Sequence, residues 1–191
     1  MKARNREVTV KKFGWIGCVM VVVAGLSGCG DARGSYPDVD RQLQLLSEFQ
    51  QVKRGCSDGL TSQTGRSGEF DGAEASVCVG RISSEEPYGI TLITGGSAQA
   101  RPGTVVFEMS KHSHPLAYEE LYEYMFKMGG IESDEEQQKF RTAMRGALLA
   151  NQYVDTARGR PQIIYTNDSG MEATMTEMGR NEVNLRFNPP Q

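Results

Sequence analysis

Apolar positions fall into two regimes along the chain: one nearly unbroken run close to the N-terminus, then a long stretch where they recur at helix or strand spacing between polar turns. The first periodic segment follows Asp38, a residue suited to cap a helix. Val39, Leu43, Leu46 and Phe49 recur at steps of four and three, Leu45 and Val52 widen the stripe, and Gly55 stands where the helix would end. A single apolar stripe predicts packing on a core, and the segment is too short for more than two heptads of coiled coil. Residues 57–74 follow with four glycines and few apolar side chains, a composition that predicts a long loop.

Alternation then takes over. Val77, Val79 and Ile82, then Ile90, Leu92 and Thr94, then Val105, Phe107 and Met109 predict strands at 75–83, 88–94 and 104–110, separated by Glu86-Pro87-Tyr88-Gly89 and by Gly95–Gly103. Pro115 fits the first turn of a helix capped by Ser113 or His114, with Tyr118, Leu121, Tyr122 and Met125 on one face to about Lys127. Gly129-Gly130 breaks it. Ser133-Asp134-Glu135-Glu136 has the form of a capping box, and Phe140, Met144, Ala147 and Leu148 mark the buried side of a second helix to about Ala150. Strands at 162–166, 171–177 and 182–188 close the chain, turned by Asn167–Gly170 and Gly179–Asn181.

This order predicts an α+β fold: an antiparallel sheet of five to six strands with helices packed on it, in an α-β-β-β / α-α-β-β-β arrangement. Short turns exclude a doubly wound parallel sheet. No residue-level repeat accompanies the similarity of the two halves.

The N-terminal run changes the picture. Lys2, Arg4, Arg6, Lys11 and Lys12 precede an almost wholly apolar segment, 13–25, that is too short and too rich in glycine to span about 30 Å of hydrocarbon comfortably. Leu26-Ser27-Gly28-Cys29 at its end resembles the lipobox of bacterial lipoproteins. The resemblance covers residues 1 to about 30 and implies that 1–28 are a cleaved signal peptide, that Cys29 carries a diacylglycerol thioether, and that the new amino terminus takes a further acyl chain such as palmitate. Two or three chains exceed the threshold for stable anchoring. In enterobacterial lipoproteins an Asp directly after the cysteine signals inner-membrane retention; that place holds Gly30 here, which implies an outer-membrane lipoprotein facing the periplasm in a Gram-negative cell. Residues 29–37 then form the lipidated cysteine and tether, and 38–191 a single periplasmic domain.

Cleavage removes five of the 21 basic and one of the 24 acidic residues, leaving 16 against 23 and a net charge of −7. That balance argues against nucleic acid and anionic lipid as partners and fits a basic protein partner or plain solubility. It also sorts the cysteines: Cys18 leaves, Cys29 is acylated, and Cys56 and Cys78 remain in an oxidising compartment, which predicts a Cys56–Cys78 disulfide.

Candidate chemistry is sparse. Glu108, His112 and His114 form the one cluster with metal-ligand character, two imidazoles and a carboxylate without a clear further ligand, in what also reads as a strand-to-helix connection. Met171, Ala173 and Met175 share a strand face and read as core filling, with Met178 beyond them. Ser97 stands in a glycine-rich turn without a nucleophile motif, and the adjacent acid pairs, such as Glu119-Glu120, splay on a helix. No cofactor is implied. The function expected is a lipid-anchored, non-catalytic protein-binding module: an inhibitor, an immunity protein or an accessory subunit. The alternatives are a metal or small-ligand carrier using His112 and His114, and an enzyme without a compact motif.

Overall fold

The alternating segments assemble into one seven-stranded antiparallel sheet in the order β1-β2-β3-β4-β7-β6-β5. The structure, a computed structural model, describes residues 35–51, 56, 59–65, 70–83, 86–98, 100–110, 115–153, 159–178 and 182–191, with the backbone alone for 82, 83, 86, 115–120 and 150–153. Its elements are α1 (Val39–Gln51), β1 (Leu60–Thr64), β2 (Glu74–Ser83), β3 (Glu86–Gly95), β4 (Val105–Ser110), α2 (Pro115–Gly129), α3 (Asp134–Tyr153), β5 (Gln162–Thr166), β6 (Glu172–Glu177) and β7 (Glu182–Asn188). The α+β class and the helix-covered antiparallel sheet are as expected from the sequence, with one strand more. β2-β3-β4 and β5-β6-β7 are two meanders whose last strands pair with each other, Phe107 opposite Leu185.

All three helices send their apolar faces to the same side of the sheet. Leu45, Leu46 and Phe49 of α1, Leu121, Tyr122 and Met125 of α2, and Phe140 and Met144 of α3 join alternate strand residues, among them Ile90, Phe107, Met175, Leu185 and Phe187, in one buried cluster. Phe140 lies at its centre, edge-on to Tyr122, Phe126 and Tyr165 at 6.2, 6.0 and 5.5 Å between ring centres, a favoured aromatic arrangement.

Two sequence expectations need correction. The region 57–74 is not a continuous loop: Leu60–Thr64 forms edge strand β1, paired with β2 from Leu60 opposite Cys78 to Thr64 opposite Glu74. β1 has no apolar alternation to reveal it, since Thr61–Thr64 are all exposed. It is held by backbone hydrogen bonds to β2 and by the Cys56–Cys78 disulfide, whose Cα atoms lie 5.0 Å apart, within the ordinary range for such a bond. The buried stripe of α1 is also rotated from the one expected. Gln42 is fully buried while Leu43 is only partly so. Val52 and Gly55 lie outside the described residues.

The helix ends show why the chain turns where it does. Asp38 caps α1, its Oδ1 accepting the Arg41 backbone N–H at 2.8 Å. Ile131 N–H reaches Phe126 O at 2.9 Å and Gly130 N–H reaches Lys127 O at 3.4 Å, the Schellman closure of α2, with Gly130 at φ +64°. Ser133 caps α3 through Glu136 N–H at 3.2 Å. The reciprocal half of the expected capping box is redirected: Glu136 Oε1 accepts the Asp168 N–H at 3.3 Å and so ties α3 to the β5–β6 turn.

Candidate functional site

The face of the sheet turned away from the helices is not uniform. At one end Ala73, Ala75, Ile93 and Ala100 form a small second core with Phe70 and Val77, closed by the β3–β4 connection, where Gly103 N–H returns to Ile93 O at 2.8 Å. At the other end β2, β3, β4 and β7 leave a groove of about 460 Å³.

Register builds this groove. Val79 pairs with Gly89, Gly89 with Glu108, and Glu108 with Asn184; paired residues in an antiparallel ladder share a face, so these form one row. Two residues further along the strands, Arg81 pairs with Pro87 and Ser110 with Glu182. Gly89 makes the depression: a β-carbon there would lie 3.1 Å from Glu108 Oε2. Met178, directly after β6, borders the groove and is 58% exposed; Val79 is 38% exposed. These are two of the four large hydrophobic side chains left exposed among the described residues.

The charged residues lining the groove, Glu108 and Glu182, are acidic, with exposed Arg81 beside them on the same face, paired with Pro87. Glu108 and Glu182 are exposed diagonal neighbours on β4 and β7, and among the described residues neither carboxylate has a hydrogen-bond or ion-pair partner. No described lining residue is basic.

A second cleft, about 510 Å³, lies among the three helices and is lined by Arg41, Leu45, Glu123, Phe126, Lys127 and Arg141, among others. Its basic side chains are already engaged. Arg41 meets Glu48 at 3.4 Å, Lys127 meets Glu123 at 2.7 Å, and the Arg141 guanidinium lies 4.6 Å from the Tyr122 ring centre. The hydrogen bond to Glu123 raises the Lys127 ammonium pKa. Burial, first, raises that of Tyr124 beside it. Both clefts contain acids, but only in the second is a lining acid, Glu123, ion-paired with a lining base, Lys127.

Of the residues singled out in the sequence, Cys56 and Cys78 are joined as expected. Cys29, His112 and His114 lie outside the described residues, and Glu108 is set on the outer sheet face. Among the described residues no group of three His, Cys, Asp or Glu is placed to hold a metal ion. Met171 and Met175 fill the core, whereas Met178 does not and belongs to the groove. Ser97 Oγ accepts the Ala100 N–H at 3.2 Å within its turn. The sequence signal for the groove was Gly89 within an alternating segment, a mark of close approach or a missing side chain; assigning it to a turn concealed this.

No family model, curated protein sequence or solved structure matches this chain.

Proposed function

We propose that the chain is a lipid-anchored cell-envelope protein whose domain works as a non-catalytic protein-binding module, as an inhibitor, an immunity protein or an accessory subunit of an envelope assembly. The anchor is supported by Leu26-Ser27-Gly28-Cys29 at the end of a basic-then-apolar leader, with 29–37 as lipidated cysteine and tether. Gly30 in place of an aspartate after the cysteine supports an outer-membrane, periplasm-facing location. No helix among the described residues is long and apolar enough to cross a membrane.

The observation that carries the binding role is the groove on the helix-free face, where exposed Val79 and Met178 adjoin the carboxylates of Glu108 and Glu182. Exposed apolar side chains beside polar groups are the composition of a recognition patch. Cys29→Ser tests the anchor: the variant should no longer take up labelled fatty acid or sediment with membranes, and retention of both properties overturns it. Cross-linking of the full chain in intact envelopes, followed by detergent extraction, tests the binding role. A reproducible stoichiometric protein adduct is expected; purification of the chain without one overturns the reading.

A further inference from the structure

We propose that the groove formed by Val79, Gly89, Glu108, Met178 and Glu182 docks a basic amphipathic segment of the partner protein, with a lysine or arginine head between the two carboxylates and its aliphatic stem across Val79 and Met178. The proposal rests on the protein-binding reading above and specifies the chemistry of the bound segment.

Three features select this occupant. Glu108 and Glu182 are diagonal neighbours on one face of the β4–β7 ladder and have no partner among the described residues, so an incoming cation breaks no ion pair of theirs. Val79 and Met178 stand exposed beside them, and long basic side chains lay apolar stems on such surface while keeping the head polar. Gly89 removes the side chain from the position between Val79 and Glu108 in the cross-strand row, leaving room for the stem to descend. The acidic balance of residues 29–191 steers a basic segment toward the domain. The cleft among the helices lacks this selectivity because Glu48 and Glu123 already engage Arg41 and Lys127.

The test uses the full chain in non-ionic detergent and a short amidated peptide in which leucine alternates with lysine. Saturable binding is expected, with the methyl resonances of Val79 and Met178 shifted. Glu108→Gln/Glu182→Gln, nearly isosteric at exposed positions, should weaken binding about tenfold, whereas Glu132→Gln/Asp134→Asn should leave it unchanged. No binding by the parent chain, equal affinity for the groove variant, or equal loss in both double variants overturns the proposal. So does saturable calcium binding at Glu108 and Glu182 with no response to the peptide. Envelope cross-linking separates the two claims: a partner captured equally by the parent and Glu108→Gln/Glu182→Gln chains removes the groove and leaves the binding module standing, whereas no partner for the parent removes the module.

Discussion

Leu60 stands directly opposite Cys78 in the β1–β2 ladder, and Cys78 is the residue bonded to Cys56 just upstream of that strand. One residue therefore carries both the covalent staple and the register of the edge strand. Cys56 has φ 28°, a conformation uncommon for a residue with a side chain, at the point where the chain turns toward β1. With a sequence separation of 22 between the joined positions, the chain-entropy model puts the bond at about 3 kcal/mol. Cys56→Ala/Cys78→Ala should lose about that much in urea unfolding, and amide exchange should accelerate more in β1 than in β3. Uniform acceleration across the sheet would show that the bond does not hold β1 in particular.

Asn167 organises the β5–β6 turn from a buried position. Its Oδ1 accepts from Ser169 N–H at 3.1 Å, Ser169 Oγ–H at 2.7 Å and Met171 N–H at 2.9 Å, while Nδ2 donates to Gly129 O at 3.3 Å, joining the turn to the end of α2. Asn167→Ala should cost about 2 to 3 kcal/mol, since buried donors lose their acceptor. Asn167→Asp keeps the three accepted bonds but sets a carboxylate against Gly129 O, so its loss should shrink as the new carboxyl is protonated at low pH. Urea midpoints at pH 7 and pH 4 distinguish the two variants.

Tyr36 and Gln42 latch the β3–β4 turn to the start of the domain. The Tyr36 hydroxyl donates to Gly103 O at 2.5 Å, and Gln42 Nε2 donates to the same oxygen at 3.2 Å and to Met128 O at 3.4 Å. Burial raises the Tyr36 phenol pKa well above its usual value, with Gln42 and Arg101 opposing the shift. The neutral phenol is thus favoured in the fold. Its contribution is complete below the unfolded value near 10 and declines as pH rises past it, by about 1.4 kcal/mol per pH unit until the folded phenol also ionises. Tyr36→Phe should cost about 1 kcal/mol at pH 7 and flatten the loss of stability between pH 10 and 11. An unchanged alkaline slope would place the ionisation elsewhere.

Two glycines should respond oppositely to a methyl group. Gly130, at φ +64°, lies so close to the chain entering the domain that a β-carbon would sit 2.6 Å from Ser35 O and 3.1 Å from Tyr36 Cα. Gly130→Ala should destabilise by about 2 to 3 kcal/mol. Gly146 lies within α3, where an added β-carbon would meet nothing within 4 Å, and Gly146→Ala should stabilise by up to about 1 kcal/mol because alanine favours helix. Thermal unfolding of the pair checks both signs.

Elements with a buried face were legible in the chain because burial imposes a period. Val105, Phe107 and Met109 marked β4, Val183, Leu185 and Phe187 lie on the inner side of β7, and Phe140 and Met144 lie on the inner side of α3. Cys56 and Cys78 were matched by elimination, given the oxidising compartment that the lipobox resemblance of Leu26–Cys29 implies. β1 had no such signature, because beyond Leu60, which packs on the core, its residues Thr61–Thr64 are exposed and the strand is held by its neighbour's backbone and a covalent bond. Gln42 was hidden for the related reason that its burial depends on Gly103 and Met128, 61 and 86 residues away. The groove required still more. Val79, Gly89, Glu108, Met178 and Glu182 come from separate segments and meet only because β4 pairs with β7. Local sequence carries the period of each element and the lipobox resemblance at Cys29; sheet order and register, set by long-range pairing, decide which of those residues face one another.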